Sequence, residues 1–141
     1  GYVFGPGSGF LVGAASAFVS NALLGQGPWT IWQMTAWALC GLSAGCLRRI
    51  APGNRLAVLV PFGILWGFFF GWILNLWHWM TFVFPLNWKT WLAANAASFP
   101  FDSLHAVGNF AFLLFGGRPI IRILERFRDR LDPPPSHPPD G

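Results

Sequence analysis

Charge is what this sequence has least of. Asp, Glu, Lys and Arg make up 10% of its 141 residues, against roughly 25% in an ordinary soluble domain. Residues 1–47 contain none of the four, and neither do residues 56–88. Runs of that length exclude a soluble globular domain, a nucleic-acid-binding module and a disordered chain, and they leave an integral membrane protein. Catalytic signatures are missing too. No GxxxxGK[ST] is present, so the chain has no P-loop with which to hydrolyse ATP. HExxH and Cys/His metal spacings are absent, so neither a metal nor another cofactor is expected. The two cysteines, Cys40 and Cys46, form no CxxC and read as small apolar fillers. Gly5-Pro6-Gly7-Ser8-Gly9 fits neither a dinucleotide fingerprint nor a nucleophile elbow and reads as a turn leading into a helix. The sequence starts at Gly1, with no charged leader and no cleavage pattern, so an N-terminal part is expected to precede it.

What is present is apolar and aromatic: 54% hydrophobic residues, nine Trp, 15 Phe, and a mean hydropathy of +0.48. Four apolar segments stand out, Phe10–Leu24, Ile31–Leu47, Leu56–Met80 and Trp91–Phe115. The reading is an all-α polytopic bundle with four visible spans, since a span needs about 20 apolar residues. Three regions are expected: a bundle over 1–117, a basic amphipathic extension of the last helix over 118–131, and a disordered Pro-rich tail over 132–141.

The net charge of +4 is read as topology, not as a nucleic-acid footprint. Eight of the nine basic residues are Arg, in two clusters: Arg48, Arg49 and Arg55, then Arg118 through Arg130. An even number of spans separates the clusters, so both fall on one face, the cytoplasmic one, and the C-terminus with them. The loops Gly25–Thr30 and Phe84–Thr90 are then external. Trp29, Trp32, Trp77, Trp79, Trp88 and Trp91 gather around them, either as an interfacial belt or as walls of an outward-facing site. Small residues recur every fourth position at Gly5, Gly9, Gly13 and Ala17, at Gly41 and Gly45, and at Gly63, Gly67 and Gly71. That spacing puts them on single helix faces and favours close packing within the bundle.

Few polar groups interrupt the apolar segments. Asp102 is the only acid before Arg118 and falls about 16 Å along the fourth segment, near mid-membrane. His105 and Asn109 follow at i+3 and i+7, so Asp102 and His105 are placed to pair. Pro100 is expected to kink or break the helix. Asn75 and His78 lie near the external end of the third segment, Asn21, Gln26 and Gln33 bracket the first external loop, and Asn95 opens the fourth segment. With the tryptophans they have the make-up of a small-molecule site, apolar walls with a few placed polar groups. Substrate-binding candidates are therefore Asn21, Gln26, Trp29, Gln33, Asn75, His78, Trp88, Asn95, Asp102 and His105.

The run Gly9-Phe10-Leu11-Val12-Gly13, then Ser20-Asn21, Gly25-Gln26-Gly27-Pro28-Trp29-Thr30, Trp32-Gln33-Met34 and Gly41-xxx-Gly45 resembles the substrate-binding S components of energy-coupling-factor transporters. Phe101-Asp102-xx-His105-Ala106-xx-Asn109 and the basic tail fit the same pattern, so the resemblance covers about residues 5–130. It implies a six-helix protein of a bacterial-type plasma membrane that captures a vitamin or related micronutrient from outside. Partners would be a transmembrane coupling subunit and two cytoplasmic ATPases, which supply the missing P-loop. The family's first helix, with its small-residue docking motif, is not in this sequence, so the four segments would be helices three to six. Two other readings stand beside it. One is a membrane enzyme or proton-coupled carrier built on an Asp102–His105 pair; the other is a structural membrane subunit with no ligand.

Overall fold

The computed structural model describes residues 1–50 and 55–131. A short N-terminal turn ends at Gly5, whose φ of 91° is open to glycine. Pro6 then starts α1 (Pro6–Leu24). A proline at the first helical position needs no N–H donor there and already has the helical φ, so the helix begins earlier than the apolar run suggests. Gly25, at φ 127°, closes α1 with its N–H on the Asn21 carbonyl (2.8 Å). The remaining helices are α2 (Trp29–Ile50), α3 (Arg55–Phe82) and α4 (Trp88–Leu131). Asn87 caps α4: its Oδ1 accepts the Thr90 N–H at 3.0 Å. Among the described residues there is no strand.

Three helices, α1, α3 and α4, are long and apolar enough to cross a membrane, and they mark a membrane protein. The fourth helix, α2, is 22 residues long but less apolar, because Thr30, Gln33, Thr35, Ser43, Arg48 and Arg49 interrupt it. Two of its hydroxyls are satisfied within the helix, Thr35 on the Ile31 carbonyl (2.9 Å) and Ser43 on that of Leu39 (2.6 Å). This removes most of the cost of placing them among apolar neighbours.

Pro100 does not break α4, which runs unbroken for 44 residues through both Pro100 and Pro119. Pro100, exposed on α4, removes one i→i−4 bond, and the helix continues on both sides of it. The basic segment from Arg118 to Leu131 is the direct continuation of α4. Residues 132–141, expected to be disordered, lie outside the described residues.

Packing follows chain order: α1 on α2, α2 on α3, α3 on α4, with no contact between the α1 and α4 backbones. The glycine ladders set the two tight pairs. Gly9 and Gly41 face each other backbone to backbone, and Gly45 lies on Pro6. On the other side Gly67 rests on Ala106, where an added Cβ would stand 2.6 Å from the Ala106 Cα. Gly71 lies on the Asp102 carboxylate and Gly63 on Leu113. In lipid, where apolar burial drives little helix association, such close approach maximises dispersion contacts. The interior is accordingly lined by small residues, with Ala17, Ala36, Ala38 and Ala106 all buried. A cluster of larger buried side chains, Tyr2, Val3, Leu59 and Ile121, sits at one end. Large apolar side chains face outward, such as Leu11, Leu23, Leu104 and Phe115 at 68%, 82%, 69% and 80% exposure. That is inside out for water and appropriate for hydrocarbon.

The two arginine clusters meet at that same end. Glu125 on α4 receives Arg55 from the start of α3 and, at 3.7 Å, Arg48 from the end of α2. Arg48 also donates to the Tyr2 carbonyl (3.2 Å), and its guanidinium lies 5.7 Å from the Tyr2 ring centroid. The loops 25–28 and 83–87 therefore share the opposite end, as the charge pattern predicts.

Candidate functional site

The end opposite the arginines is built from the two turns and the helix ends that flank them. Thr90, in the first turn of α4, accepts the Trp79 indole N–H at 3.0 Å and directs its own hydroxyl at the carbonyls of Pro85 and Asn87 (2.8 and 2.9 Å). This ties the α3–α4 turn, which contains a cis Phe84–Pro85 bond, to both helices. Trp79 and Trp91 meet edge to face with centroids 5.5 Å apart. Trp29 and Trp77 do the same between α2 and α3 at 6.2 Å.

Below that turn a cleft of about 540 Å³ lies between α3 and α4. This lies within the ~300–1,000 Å³ range of small-molecule sites. Asn75, His78, Thr90 and Ser98 supply its polar lining, and Ala93, Ala94 and Ala97 form a smooth wall. A chain of polar side chains borders it. Asn75 Nδ2 donates to Ser98 Oγ at 2.6 Å and to Asn95 Oδ1 at 3.2 Å. Asn95 Nδ2 donates to the Trp91 carbonyl at 2.9 Å. Ser98 Oγ donates to Asp102 Oδ2 at 2.8 Å. Asp102 is 3% exposed and sits against Gly71, where only a residue without a side chain leaves room for a carboxylate. The chain thus leads from the cleft to the one acid inside the apolar segments.

Asp102 and His105 do not hydrogen-bond to each other. At i+3, His105 is rotated off the buried stripe. Its Nδ1–H points back to the Phe101 carbonyl (3.2 Å), and its ring packs against Phe101 and Phe70 with centroids 4.7 and 5.5 Å away. It faces a second cavity, of about 430 Å³, between the two helical hairpins, with Trp37, Trp66 and Asn109. Asn109 is engaged there as a helix clamp, donating to the Gly63 carbonyl at 2.9 Å.

The ten sequence candidates therefore separate into groups. Asn75, His78, Asn95 and Asp102 belong to the α3–α4 cleft and its polar chain. Asn21, Gln26 and Gln33 form a knot around Thr30: Asn21 Nδ2 donates to Thr30 Oγ1 (3.0 Å) and Gln33 Oε1 (2.6 Å), and Thr30 donates to Gln26 Oε1 (2.9 Å). These groups staple the α1–α2 turn. Trp29 braces α2 against α3, and Trp88 is 71% exposed at the start of α4 beside Leu76, Trp79 and Trp91. Sequence reasoning gave Ser98 and Thr90 no place in the site. Helical spacing held the signal for Ser98, which is i+3 from Asn95 and i−4 from Asp102 and so shares their face. Among the described residues no three His, Cys, Asp or Glu side chains converge as a metal site would require.

Comparison with family models, with curated proteins and with solved structures returned no match.

Proposed function

We propose that this chain is the substrate-capture subunit of an energy-coupling-factor importer for a vitamin or related micronutrient. In this reading its four helices are helices three to six of the S-component fold. The basic end faces the cytoplasm of a bacterial-type cell, and a transmembrane coupling subunit and two ATPases supply the energy. The observation that carries the reading is the α3–α4 cleft with its chain Asn95–Asn75–Ser98–Asp102, at the end opposite eight arginines. Asn75 and Ser98, which line the cleft, fix a ligand's orientation through hydrogen bonds, Asn95 holds the Asn75 amide in place, and the alanine wall suits a flat ring. The buried carboxylate behind Ser98 favours ligands with hydrogen-bond donors or positive charge on that side. The GQGPWT loop and the following WQM, which carry the sequence resemblance, span the α1–α2 turn and the start of α2, where Gln26, Thr30 and Gln33 hold that end together.

Uptake of labelled vitamins by cells producing the full-length protein with its coupling and ATPase partners tests the proposal. Saturable, submicromolar uptake that falls at least tenfold in Asn75→Ala is expected. Failure of every vitamin and precursor tried to bind or be transported at submicromolar concentration would sink it. The alternative of a membrane enzyme or proton-coupled carrier is built on Asp102 and His105, which bond to Ser98 and to the Phe101 carbonyl instead of to each other.

A further inference from the structure

We infer that the basic end carries a specific site for the phosphate of one anionic phospholipid, between the first turn of α3 and the Arg118–Arg122 turn of α4. A cavity of about 190 Å³ lies there, lined by Arg55, Arg118 and Arg122 over an apolar floor of Leu56 and Ile121. Arg118 and Arg122 are one helical turn apart on α4, and both line this cavity. Both are exposed, and among the described residues neither has an ion pair. Arg55 gives Nη1 to Glu125 and keeps its other donors. Three arginines line one small cavity, and arginine's planar guanidinium holds phosphate oxygens in a fork. Glu125 is already shared by Arg48 and Arg55, so the cavity has an excess of positive charge.

Depth selects a lipid over a soluble anion. Phe115, Arg118 and Arg122 run up one face of α4 at i, i+3 and i+7. Phe115, 80% exposed, belongs to the apolar surface that faces hydrocarbon, and the arginines begin one turn later. A phosphate in the cavity therefore stands at headgroup level with its acyl chains against Phe115 and Leu114. Arg126 and Arg130 repeat the same spacing further along α4, but only α4 residues line the groove beside them. They serve as the internal control. The site is independent of what the opposite end binds.

Native mass spectrometry of the full-length chain in neutral detergent tests this, with phosphatidylglycerol and phosphatidylcholine of matched acyl chains competing. One phosphatidylglycerol is expected to be retained in preference to phosphatidylcholine, and millimolar inorganic phosphate should not displace it. Arg118→Gln with Arg122→Gln should weaken retention by roughly thirtyfold, the factor expected for two arginine–headgroup contacts. Arg126→Gln with Arg130→Gln removes the same charge and should change it less than about twofold. Equal losses in the two double variants would reduce the site to diffuse attraction, and displacement by inorganic phosphate would make it a soluble-anion site; either overturns the proposal. If the first variant does not fold, the wild-type competition decides alone, and equal retention of the two lipids overturns it.

Discussion

Ser98 occupies the position where the polar chain is most sensitive. It accepts from Asn75 and donates to Asp102, at 2.6 and 2.8 Å, and no other described side chain bonds to the Asp102 carboxylate. Ser98→Ala leaves a half-buried amide and a buried acid each short of a partner. Such groups cost about 1–3 kcal/mol when unsatisfied. The variant should lose stability on that order in thermal unfolding, while Ser98→Thr, which keeps the hydroxyl, should lose much less. Glycines give a second contrast at this scale. Gly67→Ala forces a Cβ against the Ala106 backbone and should destabilise by about 1–3 kcal/mol. Gly108 has nothing within 4 Å of its would-be Cβ, so Gly108→Ala should stabilise by up to about 1 kcal/mol through helix propensity. Equal effects in the two variants would contradict the packing described here.

At the scale of helices, the basic end is held by one acid. Glu125 joins α2, α3 and α4 through Arg48 and Arg55, and its side chain is 15% exposed. Glu125→Gln should lower stability by about 1 kcal/mol, and the difference should shrink in high salt, because both arginines are partly exposed. The helices themselves were largely legible from the apolar runs, and the glycine ladders correctly foretold close pairing. Their ends were not. Pro6, read within a turn that leads into a helix, is the first residue of one, and Pro100, expected to kink or break the helix, lies inside an unbroken α4. The polar residues were legible as a set but not as a grouping. Asn21, Gln26 and Gln33 satisfy one another in a turn, which periodicity does not reveal, because the bonds cross from one helix to the next. His105 was placed with Asp102 by spacing, yet it turns to the carbonyl one turn back.

For the whole molecule, the arrangement is a polarity between two ends. One gathers Arg48, Arg55 and the α4 extension, and the other gathers the two turns, the tryptophan pairs and the α3–α4 cleft. A single cysteine at Gln26 or Leu86, in a background without Cys40 and Cys46, should react with a membrane-impermeant thiol reagent in intact cells. One at Arg49 or Arg126 should react only after permeabilisation. Reaction of all four from one side would remove the topology. Capture of a vitamin-like ligand in the α3–α4 cleft, as proposed, is tested most directly by titration. Trp79 donates to Thr90, which lines the cleft, so tryptophan fluorescence of the purified full-length protein reports occupancy. Saturable quenching at submicromolar concentration by one vitamin or precursor is expected, weakened at least tenfold in Asn75→Ala and unaffected by Asn109→Ala. Binding that is insensitive to Asn75 but abolished by Asn109→Ala would place the ligand in the central cavity and contradict it.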